Sequence, residues 1–240
     1  MSDAVSTLHI DRLALAFAPK PWTFAAERRA EIDEYFAELQ RSKPAVWNGR
    51  VLLLHDHAVA DGVFRGSYLE TDYASFAAWR HWGRPSADVC DCFGATAIMA
   101  ADGVFLLGVM SPHTANAGRA YFPCGTPDPH DVVGQRVDLD LSARRELKEE
   151  TGLDTAEFTA ESGWTTVFDL PLIAHIKVLR SSQSAEALRA RILDYLARDK
   201  QPELADIRVV RGTSDFTATM PRFVTSFLEQ RFAPGVRLKP

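Results

Sequence analysis

The sequence predicts an α/β chain in which a mixed sheet lies between helices, preceded by a smaller α+β extension. Apolar runs of strand length alternate with amphipathic helical segments, an order typical of a sheet covered by helices. A composition of 46% hydrophobic and 25% charged residues is ordinary for a chain with a packed core. In 240 residues we expect an extension over residues 1–90 and a main domain over residues 91–240.

The extension is predicted to contain two helices and a pair of strands. Apolar residues recur at helical spacing over residues 24–39, with charged residues between them. Strands are expected over residues 51–54 and 63–65, joined by a turn. A second helix over residues 73–82 ends before Pro85, which closes the extension.

The main domain is predicted to open with a β-hairpin and to continue with alternating strands and helices. The hairpin pairs residues 95–99 with residues 104–110. A polar connection and a loop rich in Pro, Asp and Gly then lead to a helix over residues 142–151. The later elements are expected at strands 165–168 and 172–179, helix 185–198, strand 207–210 and helix 221–232.

Charge and hydropathy favour a small substrate. The chain has 27 Lys and Arg against 32 Asp and Glu, a net charge of −5, so no global positive field favours nucleic acid or an acidic membrane. No apolar run approaches the ~18–20 residues needed to cross a bilayer, and the start of the chain, Met1 to Val5, lacks the basic residues of a signal peptide. We therefore expect a cytoplasmic protein that binds neither nucleic acid nor membrane.

The cysteines indicate a reduced protein. Cys90, Cys92 and Cys124 are an odd number in a chain long enough to fold without disulfides. The Cys-x-Cys pair lacks a second pair of ligands at zinc spacing. We expect free thiols and no structural zinc.

The helix at residues 142–151 carries three glutamates on one face. Glu146, Glu149 and Glu150 stand at i, i+3 and i+4, so their carboxylates can converge on one hard cation such as Mg²⁺ or Mn²⁺. A solvated charged face is the commoner meaning of such residues. Here, however, like charges four apart and acids at the negative end of the helix dipole both oppose the helix. Gly152 is placed to end the helix in the left-handed conformation. The pattern predicts a divalent-metal site.

The residues around these glutamates resemble the second half of the Nudix signature, Arg-Glu-apolar-x-Glu-Glu-x-Gly-apolar. The matching segment is Arg145-Glu146-Leu147-Lys148-Glu149-Glu150-Thr151-Gly152-Leu153. The resemblance implies a Nudix-type α/β/α sandwich and metal-dependent attack of water on a diphosphate linked to another moiety. It implies metal ligation by Glu149 and Glu150, with Glu146 as ligand or general base. Arg145 would orient the acids by ion pairing.

The first half of the signature departs from the pattern, which places a Gly and then a Glu before the Arg. Counted forward from Gly125, the Glu position falls on Asp131; counted back from Arg145, it falls next to Asp138. The two counts differ because the loop carries six more residues than the pattern. Asp131, Asp138 and Asp140 are therefore candidates for the missing acid, and Asp138 is slightly favoured as a metal ligand.

The implied substrate is a nucleoside diphosphate linked to another group, of the nucleotide-sugar or ADP-ribose kind. Candidate substrate contacts in and before the loop are Gly125, Tyr121 and His113. Acids available from later segments to share the role of general base are Glu203, Asp206 and Asp215. The alternative function is a Nudix-fold nucleotide-binding or regulatory module with little turnover, a consequence of the altered first half. For either function, the sequence leaves open whether the chain forms a homodimer or whether the extension covers the surface that a partner chain would use.

Overall fold

The computed structural model of the protein describes residues 5–44 and 46–233. In these residues the helices are α1 (Thr23–Glu27), α2 (Arg29–Ser42), α3 (Tyr73–His81), α4 (Leu139–Thr151), α5 (Ala185–Leu196) and α6 (Arg222–Phe232). The strands are β1 (Ser6–Ile10), β2 (Arg12–Phe17), β3 (Arg50–Ala60), β4 (Val63–Asp72), β5 (Asp91–Met99), β6 (Phe105–Met110), β7 (Ala120–Tyr121), β8 (Val132–Val133), β9 (Arg136–Val137), β10 (Thr159–Ala160), β11 (Trp164–Asp169), β12 (Leu172–Arg180) and β13 (Leu204–Val210).

The larger sheet is mixed. Its order is β1-β11-β12-β5-β6-β13, with the short strands β10 and β7 paired to β12 and β6. Strands β5 and β12 run parallel, whereas β5 and β6 are antiparallel. The pairing of β5 with β6 is limited to Ile98 with Leu106 and Met99 with Phe105. The two strands therefore diverge toward the start of β5, and this gap is where the candidate site forms.

Helices cover both faces of the larger sheet. A Cβ atom at Gly94 of β5 would lie 2.6 Å from the backbone oxygen of Leu139, so the start of α4 packs directly on this strand. The neighbouring Phe93 contacts Phe223 of α6, with ring centroids 5.5 Å apart. Because successive strand residues point to opposite faces, α4 and α6 lie on opposite sides of the sheet. The arrangement is a three-layer α/β/α sandwich.

The smaller sheet is buried on both faces along the first half of β3. Its order is β3-β4-β2-β9-β8, and β2 runs parallel to β4. On β3, Val51 and Leu53 pack with the core formed by α1, α2 and α3, whereas Leu52 and Leu54 pack into the core between the two sheets. This two-sided burial explains the continuous apolar run in the sequence, since a sheet with one solvated face would show alternation.

The two sheets exchange strands across the expected domain boundary. Strand β1, from the extension, pairs with β11 at the edge of the larger sheet. In return, the β8–β9 hairpin from the loop before α4 joins the smaller sheet, where Arg136 pairs with Ala16 of β2. The extra loop residues thus have a structural function. The division at residues 90 and 91 stays a prediction, and the chain on its two sides is connected by these pairings.

The structure confirms the predicted α/β fold with a mixed sheet, flanking helices and an α+β N-terminal part. The strands and the later helices predicted from periodicity are present, but the helix predicted over residues 24–39 is divided at Arg28 into α1 and α2. The first hairpin is longer than expected, spanning β3 and β4. Strands β1, β2, β7, β8, β9 and β10 were not predicted from periodicity. The cysteines are free thiols, as predicted. In the described part of the chain no helix combines the length and the apolar character needed to span a membrane. The expectation that the start of the chain is not a signal peptide rests mainly on residues 1–4, which lie outside the described residues.

A buried histidine between the sheets makes stability depend on pH. His175 is fully buried, and its Nδ1 lies 2.7 Å from the hydroxyl of Thr166. Burial, with a smaller contribution from the charge of His57, lowers the pKa of His175 from 6.5 to about 3. Between these values the unfolded chain takes up a proton that the folded chain does not. We expect this group to remove about 1.4 kcal/mol of unfolding free energy per pH unit as the pH falls below 6.5.

Urea unfolding of the parent and of His175→Asn at pH 7.5, 5.5 and 4.5 measures this contribution. The variant is expected to be less stable at pH 7.5 because the smaller side chain leaves a cavity. Its stability should then fall less steeply with acid than that of the parent. His81→Asn, at an exposed position, should keep the parental slope. Equal slopes for the parent and His175→Asn would contradict the assignment.

Candidate functional site

Helix α4 is fixed at both ends by residues suited to those positions. Asp138 is its N-cap, and its carboxylate accepts hydrogen bonds from the backbone N–H groups of Asp140 and Leu141, each at 3.0 Å. At the other end Gly152 adopts the left-handed conformation with φ of 72°, as predicted from its place after the helix. The acidic turn before Gly152 is therefore held in a defined position.

The three glutamates of α4 point in different directions. Glu150 is 3% exposed, and its Oε1 accepts a hydrogen bond from the backbone N–H of Cys124 at 3.2 Å. The Glu146 side chain is 13% exposed and forms an ion pair with Arg145 at 2.9 Å. The Glu149 side chain is 61% exposed and lies 3.6 Å from the same guanidinium. Two carboxylates thus enter the interior, and the third stays at the surface.

The segment after β7 brings backbone into contact with the two buried acids. It passes through the gap between β5 and β6, where the Thr96 N–H donates to the Pro123 carbonyl at 3.1 Å. A Cβ atom at Gly125 would lie 2.6 Å from the carboxyl carbon of Glu146. Only a residue without a side chain lets this acid lie against the loop. The expectation that Gly125 belongs to the site thus gains a steric reason, although its contact with substrate stays a prediction.

Burial and mutual repulsion disfavour the charged form of these acids. Burial, followed by the charges of Glu203 and Glu146, raises the pKa of Glu150 well above its usual range. Burial also raises the pKa of Glu146 to about 7; Arg145 opposes this shift, while Glu149 and Glu203 add to it. Loss of hydration and the charge of Glu149 raise the pKa of Glu203, which lies at a partly open rim. The four carboxylates form one electrostatically coupled cluster.

Arg145 connects the acidic turn to the loop before the helix. Besides its ion pairs with Glu146 and Glu149, it donates to both oxygens of Asp131, at 3.0 and 3.3 Å. The Asp131 side chain is 1% exposed, and it also accepts the backbone N–H of Asp128 at 3.0 Å. Arg145 thus contacts two of the acids, and Asp131 holds its guanidinium in place. Its role in orienting the acids for function stays a prediction.

This geometry corrects the choice among the loop aspartates. Asp138 caps the N-terminus of α4, and Glu149 lies eleven residues further on, a distance of roughly 16 Å along a helix. Asp140 forms an ion pair with Arg144 on the outer face of the same first turn. Neither can share a cation with the acidic turn. The preference for Asp138 as a metal ligand was wrong because an acid just before a helix more often serves as its cap.

Among the later acids, the structure brings only Glu203 to the cluster. Asp206 forms an ion pair with Arg189 at 2.6 Å, and Asp215 accepts the backbone N–H of Arg211 at 2.7 Å. Glu203 precedes β13, the edge strand beside β6. Its approach depends on that pairing, so no local sequence signal distinguishes it from the other two acids.

A cavity of about 350 Å³ is lined by Glu203 of the acidic cluster and by Cys124 and Gly125, the residues that lie against Glu150 and Glu146. The glutamates of α4 do not themselves line it. Tyr121 lines this cavity, as expected for a substrate contact, and its hydroxyl accepts a hydrogen bond from Asn116 at 3.0 Å. His113 does not line it; this residue is exposed and acts only through its charge on Glu203. The opposite wall was not foreseen, because it comes from the N-terminal part of the chain. Its lining residues there are Val51, Tyr73, Phe76, Arg80 and Arg84.

The chemistry of the acidic cluster fits a hard divalent cation. Carboxylate oxygens are the ligands that Mg²⁺ and Mn²⁺ prefer, and a cation would relieve the repulsion among the four acids. The carboxylates do not already stand as a ligand set: within residues 5–44 and 46–233, no group of three or more His, Cys, Asp or Glu side chains is arranged to hold a metal ion. Ligation of a cation would therefore require the carboxylates of the cluster to adopt other side-chain conformations.

Comparison with known proteins finds likeness in structure alone. No family model matches the chain, and no curated protein matches its sequence. A Nudix hydrolase from M. smegmatis, RenU, is 12% identical with a TM-score of 0.37, covering 58% of this chain and 80% of that one. The Nudix domain of Shewanella oneidensis NrtR, solved with ADP-ribose, is 15% identical with a TM-score of 0.32 over 56% and 81%. A C. elegans Ap4A hydrolase is 18% identical with a TM-score of 0.30 over 52% and 80%. Values of this size do not establish a shared activity.

The two aspartates before α4 are expected to respond differently to substitution. Asp138→Ala removes the helix cap and should lower the free energy of unfolding by about 1 kcal/mol. Mn²⁺ affinity, measured by calorimetry, should stay unchanged because the cap lies at the far end of the helix. Asp131→Asn weakens the buried partner of Arg145 and should lower both stability and Mn²⁺ affinity. Loss of Mn²⁺ binding in Asp138→Ala with full binding in Asp131→Asn would reverse this assignment.

Proposed function

We propose that this protein is a divalent-metal-dependent hydrolase that cleaves the pyrophosphate bond of a nucleoside diphosphate linked to another group. The observation that carries the proposal is the cluster of four mutually repelling carboxylates at the end of α4, one of which, Glu203, lines the neighbouring cavity. The cluster is formed by Glu146, Glu149, Glu150 and Glu203. The resemblance of residues 145–153 to the Nudix signature supports the same reaction.

Several features of the cluster favour metal chemistry over a structural role. Each acid destabilises the folded state by raising the pKa of its neighbours, and within the described part of the chain the opposing charge for Glu146 and Glu149 comes from Arg145 alone. A helix that served only packing would gain stability from an apolar residue in place of the buried Glu150. Retaining the acids is explained if a cation neutralises them during function. Thiol chemistry at Cys124 is disfavoured because burial and the nearby carboxylates raise its pKa well above the usual range.

Each residue of the cluster has a proposed role. Glu149, Glu150 and Glu203 would hold Mg²⁺ or Mn²⁺, which when bound neutralises phosphate oxygens and lowers the pKa of an attacking water. Glu146 would accept the proton of that water, since its carboxylate is held at 2.9 Å by Arg145 and a positioned carboxylate can serve as a general base. Tyr121 and Gly125 would bound the substrate within the cavity. A nucleotide sugar or an ADP-ribose-like compound has the size and charge this proposal requires.

The second candidate function is a nucleotide-binding or regulatory module with little turnover. It is favoured by a specific observation, since the carboxylates are not already arranged as metal ligands in the described residues. The two functions differ in whether the acids act on bound nucleotide. They are separated by measuring cleavage and binding on the same protein.

A panel of diphosphate compounds tests the proposal. Nucleotide sugars, ADP-ribose, dinucleoside polyphosphates, NADH and nucleoside triphosphates are incubated with Mg²⁺ or Mn²⁺, and products are resolved by chromatography. We expect at least one compound to be cleaved. Glu146→Gln should reduce kcat by roughly 10²–10⁴-fold, the usual contribution of a general base. Glu149→Gln and Glu150→Gln should weaken Mn²⁺ affinity by about tenfold or more.

The matched control is Glu186→Gln, an exposed glutamate in the first turn of α5. It removes one negative charge from a helix surface away from the cluster and should retain full activity. If Glu146→Gln, Glu149→Gln and Glu150→Gln all cleave at the parental rate, the glutamates of α4 take no part in catalysis. Nucleotide binding without cleavage of any compound would favour the binding module.

A further inference from the structure

The cavity that begins at the acidic cluster ends among arginines. Arg80 of α3, Arg84 after that helix and Arg119 before β7 all line it. The same three residues line a wider groove of about 760 Å³ that continues outward, with Lys43 at its edge. The protein as a whole carries a net charge of −5. Three arginines that line one cavity of an acidic protein indicate a specific role for positive charge in that cavity.

These arginines are not engaged in ion pairs. In the residues that the structure describes, no carboxylate lies within 4 Å of the guanidinium of Arg80, Arg84 or Arg119, but the buried carboxyl of Asp91, which lines the same cavity, interacts electrostatically with Arg80 and Arg84 over a longer distance. Arg80 donates to the side-chain oxygen of Asn116 at 3.3 Å, and Arg84 lies 5.9 Å from the ring of Trp79. Asp91 offers one carboxyl for three guanidinium groups, and burial raises its pKa, so an excess of positive charge remains in the cavity. The guanidinium groups thus remain open to an anionic ligand.

A buried acceptor at the cavity wall also points to a polar ligand. Asp91 is 5% exposed and lines the cavity, and its Oδ1 has no hydrogen-bond partner in the described chain. A buried carboxyl without a partner is costly unless something donates to it. A ligand that brings hydroxyl or amino groups into the cavity would supply that donor. The rings of Phe93 and Tyr121 line the same space and offer apolar surface to a base or sugar.

We propose that Arg80, Arg84 and Arg119 bind a phosphate group of the substrate that is separate from the diphosphate to be cleaved. The substrate is then a nucleoside diphosphate derivative that carries an additional phosphate monoester. This inference rests on the proposed function, because it places the scissile diphosphate at the acidic cluster. It goes further by assigning substrate specificity to the N-terminal part of the chain.

The geometry favours phosphate over other anions. Guanidinium groups bind phosphate oxygens through paired N–H donors, and several arginines match the two charges of a monoester. The basic residues lie in a cavity instead of along an exposed face, and the overall charge is negative, so nucleic acid is not a suitable ligand. The acidic cluster would repel phosphate at the other end without a cation. The substrate is thus oriented by the charges at the two ends.

Binding is tested first, without metal and without turnover. Calorimetry in EDTA compares AMP with adenosine 2′,5′-bisphosphate and adenosine 3′,5′-bisphosphate. We expect at least one bisphosphate to bind about tenfold or more tightly than AMP, and Arg80→Gln and Arg84→Gln to abolish that difference. Arg198→Gln, which alters an exposed arginine at the end of α5, should keep it. No preference for either bisphosphate, or a preference that survives in both cavity variants, would overturn the inference.

Cleavage of matched substrates provides the second arm. With Mn²⁺, kcat/KM is measured for NADPH against NADH and for 2′-phospho-ADP-ribose against ADP-ribose. We expect the member with the extra phosphate to be preferred, and Arg119→Gln to reduce the preference mainly through KM. Efficient cleavage without preference would overturn the inference and leave the proposed function standing. A bisphosphate preference in binding without any cleavage would instead contradict the proposed function and keep the arginine subsite.

Discussion

The functional region depends on how the acidic turn of α4 is held against the backbone of residues 121–125. That segment can reach the helix because β5 and β6 pair only at one end and diverge at the other. Cys124 then donates its N–H to Glu150, and Gly125 leaves space for Glu146. Fixing two carboxylates in the interior is unfavourable, so the fold must oppose it with rigid contacts. The cap at Asp138, the left-handed Gly152 and the Asp131–Arg145 pair provide them.

Much of the fold could be predicted from sequence because the information was local. Helical spacing identified α2 and α3, and a glycine after the acidic helix predicted its left-handed end at Gly152. The missed elements have in common that they form through distant partners. Strand β1 is specified by pairing with β11, and the β8–β9 hairpin by pairing with β2. Two-residue strands such as β8 carry too little pattern to be recognised before their neighbours are known.

The residues of the candidate site likewise fall into two groups: those that the local sequence identifies and those that only the folded chain brings together. Glu146, Glu149 and Glu150 were identified because a helix fixes their relation within one turn. Counting along the chain could not choose between Asp131 and Asp138, since the loop has additional residues whose path is set by the smaller sheet. Burial resolves this choice: Asp131 lies inside against Arg145, and Asp138 lies outside as a cap. Glu203 and the arginines come from separate parts of the chain, so only the folded protein brings them to one cavity.

The proposed function of the N-terminal part is to contribute positive charge to a cavity that also carries an acid of the main sandwich. The main sandwich supplies Glu203, before β13, and the neighbouring glutamates of α4, whereas α3 and the turn after it supply Arg80 and Arg84. A net charge of −5 conceals this separation, because composition averages over positions. The exchange of β1 and the β8–β9 hairpin between the sheets connects the two contributions. Because the same loop supplies that hairpin and Asp131, the orientation of Arg145 is coupled to the docking of the N-terminal sheet. A change in that docking would therefore alter both the acidic end and the basic end of the cavity.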